Sequence, residues 1–313
     1  MPTQLYTHSV CIDHDPGEFH PESPNRLKAV LSALESESFH LLQRMEAPEA
    51  ERSQLERVHL SAYVEEVFSA VPQPGPQSRH RHLDPDTVLS PASGDAALRA
   101  AGGVCAAVDA VLGGTARNAF CAVRPPGHHA ERDRAMGFCF FNNVAIGSEQ
   151  ARQVHGIRKV AIVDFDVHHG NGSQSYAEGD RDLFYASSHQ WPAYPGTGPE
   201  SETGQYRNIV NVCLPPGSGS DSFRKAYEQR IFPALRAFAP ELLMISAGFD
   251  AHVRDPLCQL NVETEDFAWI TRELLGIAQE VSSGRVVSVL EGGYDLAALA
   301  ACARVHVKTL MDY

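Results

Sequence analysis

The chain has 313 residues, 43% of them hydrophobic and 21% charged, and its 26 Lys and Arg against 39 Asp and Glu give a formal net charge of -13. This is the composition of a globular protein with a sizeable core, and the acidic balance argues against a general binder of nucleic acid or of an anionic membrane. Seven scattered cysteines (Cys11, Cys105, Cys121, Cys139, Cys213, Cys258 and Cys302) without a Cys-x-x-Cys pair fit reduced thiols in a cytoplasmic protein. The first residues, MPTQLYTHSV, have neither the basic nor the apolar region of a secretory signal, and no run approaches the ~18 apolar residues that span a bilayer.

Leu5 and Tyr6 open the chain as an edge strand. A polar loop from His14 to Asn25 follows, and Ser23-Pro24 then starts a helix as cap and first-turn proline, with Leu27, Val30, Leu31 and Leu34 at helical spacing. Arg26, at the start of that helix, reads by itself as a solvated residue. Ser61 to Phe68 is a short helix. Residues 71–82 are rich in proline and polar side chains and form a surface loop, with Arg79, His80, Arg81 and His82 in solvent. Ser93 to Leu112 is a helix with Ala97, Ala101, Val104, Val108 and Val111 on one stripe, stopped by Gly113-Gly114.

Ala119 to Val123 is a buried strand that runs into Arg124-Pro125-Pro126-Gly127-His128-His129. Of Phe138, Phe140 and Phe141, at least two belong to the core, and Asn143 to Val154 is a helix. Val160 to Val163 is a continuous apolar run, as in a parallel strand covered on both faces, and ends in Asp164, Asp166, His168 and His169. Leu183 to Ser187 and Asn208 to Leu214 are strands, separated by a loop that carries Trp191 and Tyr194. Asp221 caps a helix with Phe223, Tyr227, Ile231 and Leu235 on its stripe. Glu241 to Ala247 is a strand ending at Gly248-Phe249-Asp250. Thr264 opens a helix with Glu265 and Asp266 in its first turn, favourable for the helix dipole. Arg285 to Leu290 is the last strand, ending in Glu291-Gly292-Gly293-Tyr294, and a helix closes the chain.

Strand, loop and helix alternate about six times, the pattern of an α/β fold with a mainly parallel sheet. Ligands of such folds bind outside the carboxyl ends of the strands. Four strand ends carry His128-His129, Asp166 with His168, Asp250, and Tyr294, so they meet at one edge of one sheet. A site drawn from most of the chain argues for a single domain over residues 1–313. Asp166, His168 and Asp250 supply two carboxylates and one imidazole. Three protein ligands with an open position is the layout of a catalytic metal site, for zinc with iron(II) as an alternative. A water on such a metal could attack a carbonyl. His128 and His129 remain as acid-base groups, and Tyr294 could donate to an oxyanion. The plainer reading of any one Asp-x-His is a strand finishing in a solvated loop; three clusters at strand ends outweigh it.

The blocks RPPGHHAERDRAMGFCFFNN, VDFDVHHGNG, SAGFDAHVRDPL and EGGYDL resemble those of the zinc-dependent histone deacetylase family, most closely its class II and bacterial branch, and the resemblance begins at HPESPNRL. It implies the arginase/deacetylase α/β fold, a central eight-stranded sheet with helices on both faces, and hydrolysis of an N-acetyl amide with release of acetate. It implies Zn2+ on Asp166, His168 and Asp250, His129 as general base, His128 as its partner and Tyr294 as the group polarising the acetyl carbonyl. Asp164 would orient His128. Asn171, where class I members have aspartate, would leave His129 more readily neutral. Phe138, after Gly137, and Tyr194 would flank the channel for the acetyl-lysine stem, with Leu257 as gatekeeper at its mouth. The peptide oxygens of Asp164, Asp166 and His168, with the Ser187 hydroxyl and the Ser188 carbonyl, resemble the family's K+ or Na+ site. Arg26 resembles the arginine lining the acetate exit, against its solvated reading.

Acetylpolyamine deacetylases carry glutamate at the gatekeeper position, so Leu257 favours an acetylated lysine side chain, with another small N-acetyl amine as the alternative. A two-manganese arginase-type site needs more bridging aspartates than Asn171 and a lone Asp250 allow. A non-catalytic acyl-lysine reader is disfavoured by the presence of both His129 and Tyr294. Neither a nucleic acid nor a membrane is expected as partner; a homo-oligomer is compatible with the sequence.

Overall fold

A computed structural model describes residues 1–75 and 79–313; part of the proline-rich surface loop read in residues 71–82 lies outside the described residues. Among the described residues ten strands are formed: β1 (Thr3–Thr7), β2 (Gln43–Glu46), β3 (Arg81–His82), β4 (Val88–Leu89), β5 (Asn118–Cys121), β6 (Val160–Asp164), β7 (Leu183–Gln190), β8 (Ile209–Leu214), β9 (Leu242–Ala247) and β10 (Val286–Leu290). Eight of them make one sheet in the order β2-β1-β5-β10-β9-β6-β7-β8, and every pairing in it is parallel. Parallel strands need crossovers, and helices supply them. In β6, β9 and β10 every residue is buried. Successive side chains of a strand point to opposite faces, so both faces of the central sheet are covered. This is why Val160–Val163 and Leu242–Ile245 read as unbroken apolar runs.

The long helices are Pro24–Ala33, Ser61–Ala70, Ser93–Leu112, Asn143–His155, Thr264–Val281 and Leu296–Asp312, each where the sequence predicts a helix. The Asn142 side chain caps the fourth of these by accepting from the amide of Ala145. Glu263 and Asp266 cap the fifth reciprocally. Phe140 and Phe141 are core residues; Phe138 is not.

Three expectations are corrected. The first strand is not an edge: β2 lies outside it. Three of the four β2 residues are exposed, so QRME has no hydrophobic alternation to betray a strand. Asp221 is inside its helix, which spans Ser220–Ala226 behind Gly219, and a π-turn at Tyr227–Ile231 leads on to Phe232–Phe238; the apolar stripe ran through all three pieces. Arg81–His82 pairs antiparallel with Val88–Leu89, although Arg79, His80, Arg81 and His82 are all exposed as expected.

Strands β5, β10, β9 and β6 are consecutive in the sheet. Their carboxyl ends therefore lie side by side, and these are the four ends that carry His128-His129, Tyr294, Asp250 and Asp166 with His168. Strands β5 and β6 follow one another in sequence but are held apart by two later strands, which opens the crevice where α/β sheets bind ligands.

Candidate active site

The Asp166, His168 and Asp250 side chains each direct a ligand atom into one buried spot, all within 4.8 Å of one another. His168 Nδ1 lies 3.1 Å from Asp166 Oδ1 and 3.1 Å from Asp250 Oδ2. The second oxygen of each carboxylate is held from behind: Asp166 Oδ2 accepts the amide of Gly292 at 2.8 Å, and Asp250 Oδ1 accepts that of Val167 at 2.8 Å. Gly292 makes this possible, since a Cβ there would fall 2.2 Å from Asp250 Oδ2. Burial and the charge of Asp166 push the Asp250 carboxyl up to about 7. A divalent cation relieves that repulsion, and two carboxylates with one imidazole suit zinc or iron(II). The residues fit a metal, and its identity is not set by them.

His128 and His129 stand beside this spot, their ring centroids 4.0 Å apart. His128 Nδ1 meets Asp164 Oδ2 at 3.0 Å, and His129 Nδ1 meets Asn171 Oδ1 at 2.9 Å. Burial opposes a charge on both rings. At His128 the nearby Asp166 and Asp164 overcome it and raise the pKa to about 10. At His129 burial prevails and the charges of His128 and His168 reinforce it, so the pKa falls well below the ordinary imidazole value. The Asn171 amide is oriented by its NH2 group donating to Glu131 Oε1 at 2.7 Å. Its oxygen therefore accepts from His129 Nδ1–H, which leaves Nε2 with a free lone pair. The two adjacent rings are thus pushed in opposite directions by their neighbours.

A cavity of about 240 Å³ opens over these groups, bounded by His129, His168, Phe138, Tyr194, Leu257 and Tyr294. The Tyr194 ring is edge-on to His129 at 5.2 Å, and Phe138 is edge-on to Tyr294 at 5.9 Å. Gly137 has φ +56°, and a Cβ on it would sit 2.4 Å from His129 Cδ2, so only glycine lets the wall approach this ring. Leu257 is 37% exposed at the mouth. Burial raises the Tyr294 hydroxyl well above its ordinary value, which keeps it a hydrogen-bond donor. A larger hollow of about 610 Å³ lies elsewhere, between the first strand and the last helix. It is lined by termini and surface side chains and holds no comparable convergence.

Arg26 is 1% exposed, which overturns its solvated reading. Its guanidinium bonds Glu22, the carbonyl of Gly293 at 2.6 Å and the carbonyl of Glu291, and lies 4.9 Å from the Tyr294 ring centroid. Ser187 stands opposite Asp164 in the β6–β7 register, with its hydroxyl 2.9 Å from His189 Nδ1; the Ser188 hydroxyl donates to Tyr227 at 2.8 Å.

The histone deacetylase domain family model matches residues 20–310. The chain belongs to the histone deacetylase family. A histone deacetylase-like amidohydrolase of Pseudomonas aeruginosa is 38% identical over 93% of this chain and 76% of its own length. Type-2 histone deacetylase 2 of Dictyostelium discoideum is 35% identical over 97% of the chain, which spans only 20% of that longer protein. Among solved structures, the crystal structure of the HDA15 HD domain superposes with a TM-score of 0.91 at 33% identity, covering 100% of this chain and 90% of that one. The fold is thus the α/β deacetylase fold, and the family carries deacetylase activity.

Several residues around this site are given no role from the sequence. Tyr185 donates to Asp164 Oδ2 at 3.1 Å and accepts the amide of Gly170. Pro21 and Asp86 line the cavity mouth. The Cys258 thiol lies 3.6 Å from His168 Nε2. Glu22 and Arg124 form a buried ion pair beneath Arg26. Tyr185, Cys258 and Arg124 are placed by partners that lie elsewhere in the sequence.

Proposed function

We propose that the chain is a metal-dependent deacetylase that hydrolyses the amide of N-acetyl-lysine or a similar N-acyl amine and releases acetate. The observation that carries this is the asymmetric pair of buried histidines beside a cation-ready Asp166, His168, Asp250 triad in one cavity. A zinc ion on that triad, with iron(II) as the alternative, would supply a Lewis acid and lower the pKa of a water beside it.

The chain's own groups do the rest. His129 Nε2 takes a proton from the attacking water. Its Nδ1–H, held by Asn171, keeps the ring in the basic tautomer. The Tyr294 hydroxyl donates to the carbonyl oxygen as negative charge develops there. The carbon–oxygen bond forms, the carbon–nitrogen bond breaks, and the protonated histidine returns its proton to the leaving amine. His128, paired with Asp164, stands beside this charge. Phe138 and Tyr194 flank the alkyl stem, and Arg26 lines the route by which acetate leaves. Asp164, Asp166, His168, Ser187 and Ser188 would hold K+ or Na+ behind the triad. Residues 1–313 act as one catalytic domain, in the cytoplasm, on an acetylated protein.

Leu257 at the mouth favours acetyl-lysine over an acetylated polyamine, since it offers no counter-charge to a second amine. Turnover of the metal-loaded protein on an acetyl-lysine peptide beside N-acetylputrescine tests this. Cleavage of the peptide alone is expected. Faster cleavage of the polyamine would make the protein a small-molecule amidohydrolase. Binding of the peptide without cleavage of either would make it an acyl-lysine reader.

A further inference from the structure

Glu291 follows β10 and is 0% exposed. Its Oε2 accepts the backbone amides of Gly127 at 2.7 Å and His128 at 3.2 Å, and its Oε1 accepts the Ser246 hydroxyl at 3.3 Å. Among the described residues these three dipoles are its side-chain partners, and no ion pair neutralises it. Burying a carboxyl here is expensive: burial pushes it up to about 7 against the opposing pull of the His128 charge. Its placement is informative. Pro125 and Pro126 have no N–H, so Gly127 and His128 carry the first two amides after the prolines in the loop that bears the two histidines, and one oxygen takes both. Through its backbone the same residue joins the other half of the site: its carbonyl accepts from Arg26, which also bonds the carbonyl of Gly293, and Tyr294 comes next.

We propose that Glu291 is a positioning residue for the deacetylation reaction, clamping the His128-His129 loop to the β10 turn so that the base and the oxyanion donor keep a fixed spacing. This rests on the deacetylase reading. The carboxylate acts by reach: it spans from β10 to two amides about 164 residues earlier in the chain. The side chains of His128 and His129 are held by Asp164 and Asn171, but those bonds fix ring orientation and leave the height of the loop over the sheet to its backbone.

Three variants test it. Glu291→Ala removes the clamp; Glu291→Gln keeps its length and an oxygen for both amides; Glu291→Asp keeps the charge and falls one methylene short. Displacing a base by ~1 Å costs on the order of 10²-fold. The expected result is a drop of that size in kcat for the Ala variant, with KM and metal content near those of the parent, and recovery to within about tenfold in the Gln variant, the tolerance left by one weaker acceptor. Hydrogen exchange of the 127–128 amides should be faster in the Ala variant and slow again in the Gln variant. If the Ala variant does not fold, the order of the other two decides: Gln above Asp supports a clamp, and Asp above Gln overturns it in favour of a role for the charge. A parallel rise in KM, loss of metal, or an Ala variant as fast as the parent also overturns it. A parent protein that cleaves no acyl amide refutes the deacetylase reading instead, and the exchange rates still report whether Glu291 holds the two amides.

Discussion

Glu22→Gln isolates the buried ion cluster beneath the site. Glu22 and Arg124 are both 0% exposed and directly paired, and Glu22 also meets Arg26 at 3.0 Å and His14 at 3.3 Å. The amide keeps the shape and removes the negative charge that pairs directly with two buried guanidinium groups. Leaving a buried charge without its partner costs roughly 3–5 kcal/mol. At the usual unfolding entropy per residue, a 313-residue chain then loses roughly 5–8 °C in Tm. Urea unfolding followed by circular dichroism reads the difference. The pH dependence carries the same sign. Burial opposes ionisation of Glu22, but Arg124 and His14 overcome it and hold the carboxyl well below the usual range. Its folded pKa is thus depressed, so its contribution is complete above the unfolded value of about 4.3 and is lost as pH falls through the folded value. The parent should therefore lose its advantage over Glu22→Gln on acidification below about pH 4. A variant within about 1 kcal/mol of the parent at neutral pH, the range of an exposed pair, would refute the reasoning.

Other substitutions address the site directly. Tyr294→Phe should lower kcat by ~10²–10³, the effect of removing one oxyanion donor; an undiminished rate would assign that role to another group. Asp250→Asn should lower metal occupancy, measured by elemental analysis, while His129→Ala should abolish turnover with the metal retained; metal loss in the histidine variant would mean the two roles are misassigned. Leu257→Glu should raise the ratio of N-acetylspermidine to acetyl-lysine peptide turnover, read by competition in one reaction, and an unchanged ratio would remove Leu257 from substrate selection.

Strand interiors were legible because both faces of the sheet are covered, which forces unbroken apolar runs such as Val160–Val163. Their ends were legible because polar clusters follow those runs at once. The edge strand Gln43–Glu46 was not, since three of its four residues face water and no periodicity marks them. Arg26 shows the limit more sharply. A first-turn arginine is solvated unless something distant neutralises it. Here Glu22 supplies the charge, and two carbonyls from the other end of the chain, those of Glu291 and Gly293, complete the pocket. Glu22 lies four residues before Arg26 but precedes the helix, so helical periodicity does not link them, and their residue types alone do not show that either is buried.

The division of labour between His128 and His129 was beyond reach of residue types for a related reason. The two are adjacent and chemically identical, so their roles differ only through their neighbours. His128 meets the carboxylate of Asp164, on the last residue of β6; His129 meets the neutral amide of Asn171, seven residues further on. Both neighbours come from the one stretch Asp164–Asn171, which also carries Asp166 and His168. One turn at the end of one central strand therefore supplies two of the three candidate metal ligands and the different partners of the two histidines. Exchanging the chemistry of its two ends tests this coupling: Asp164→Asn should weaken the case for a cation on His128, and Asn171→Asp should raise the basicity of His129. Each is read as a shift of the acidic limb of kcat/KM with pH, upward in pH for Asn171→Asp. A limb that does not move in the latter would assign that titration to a group other than His129.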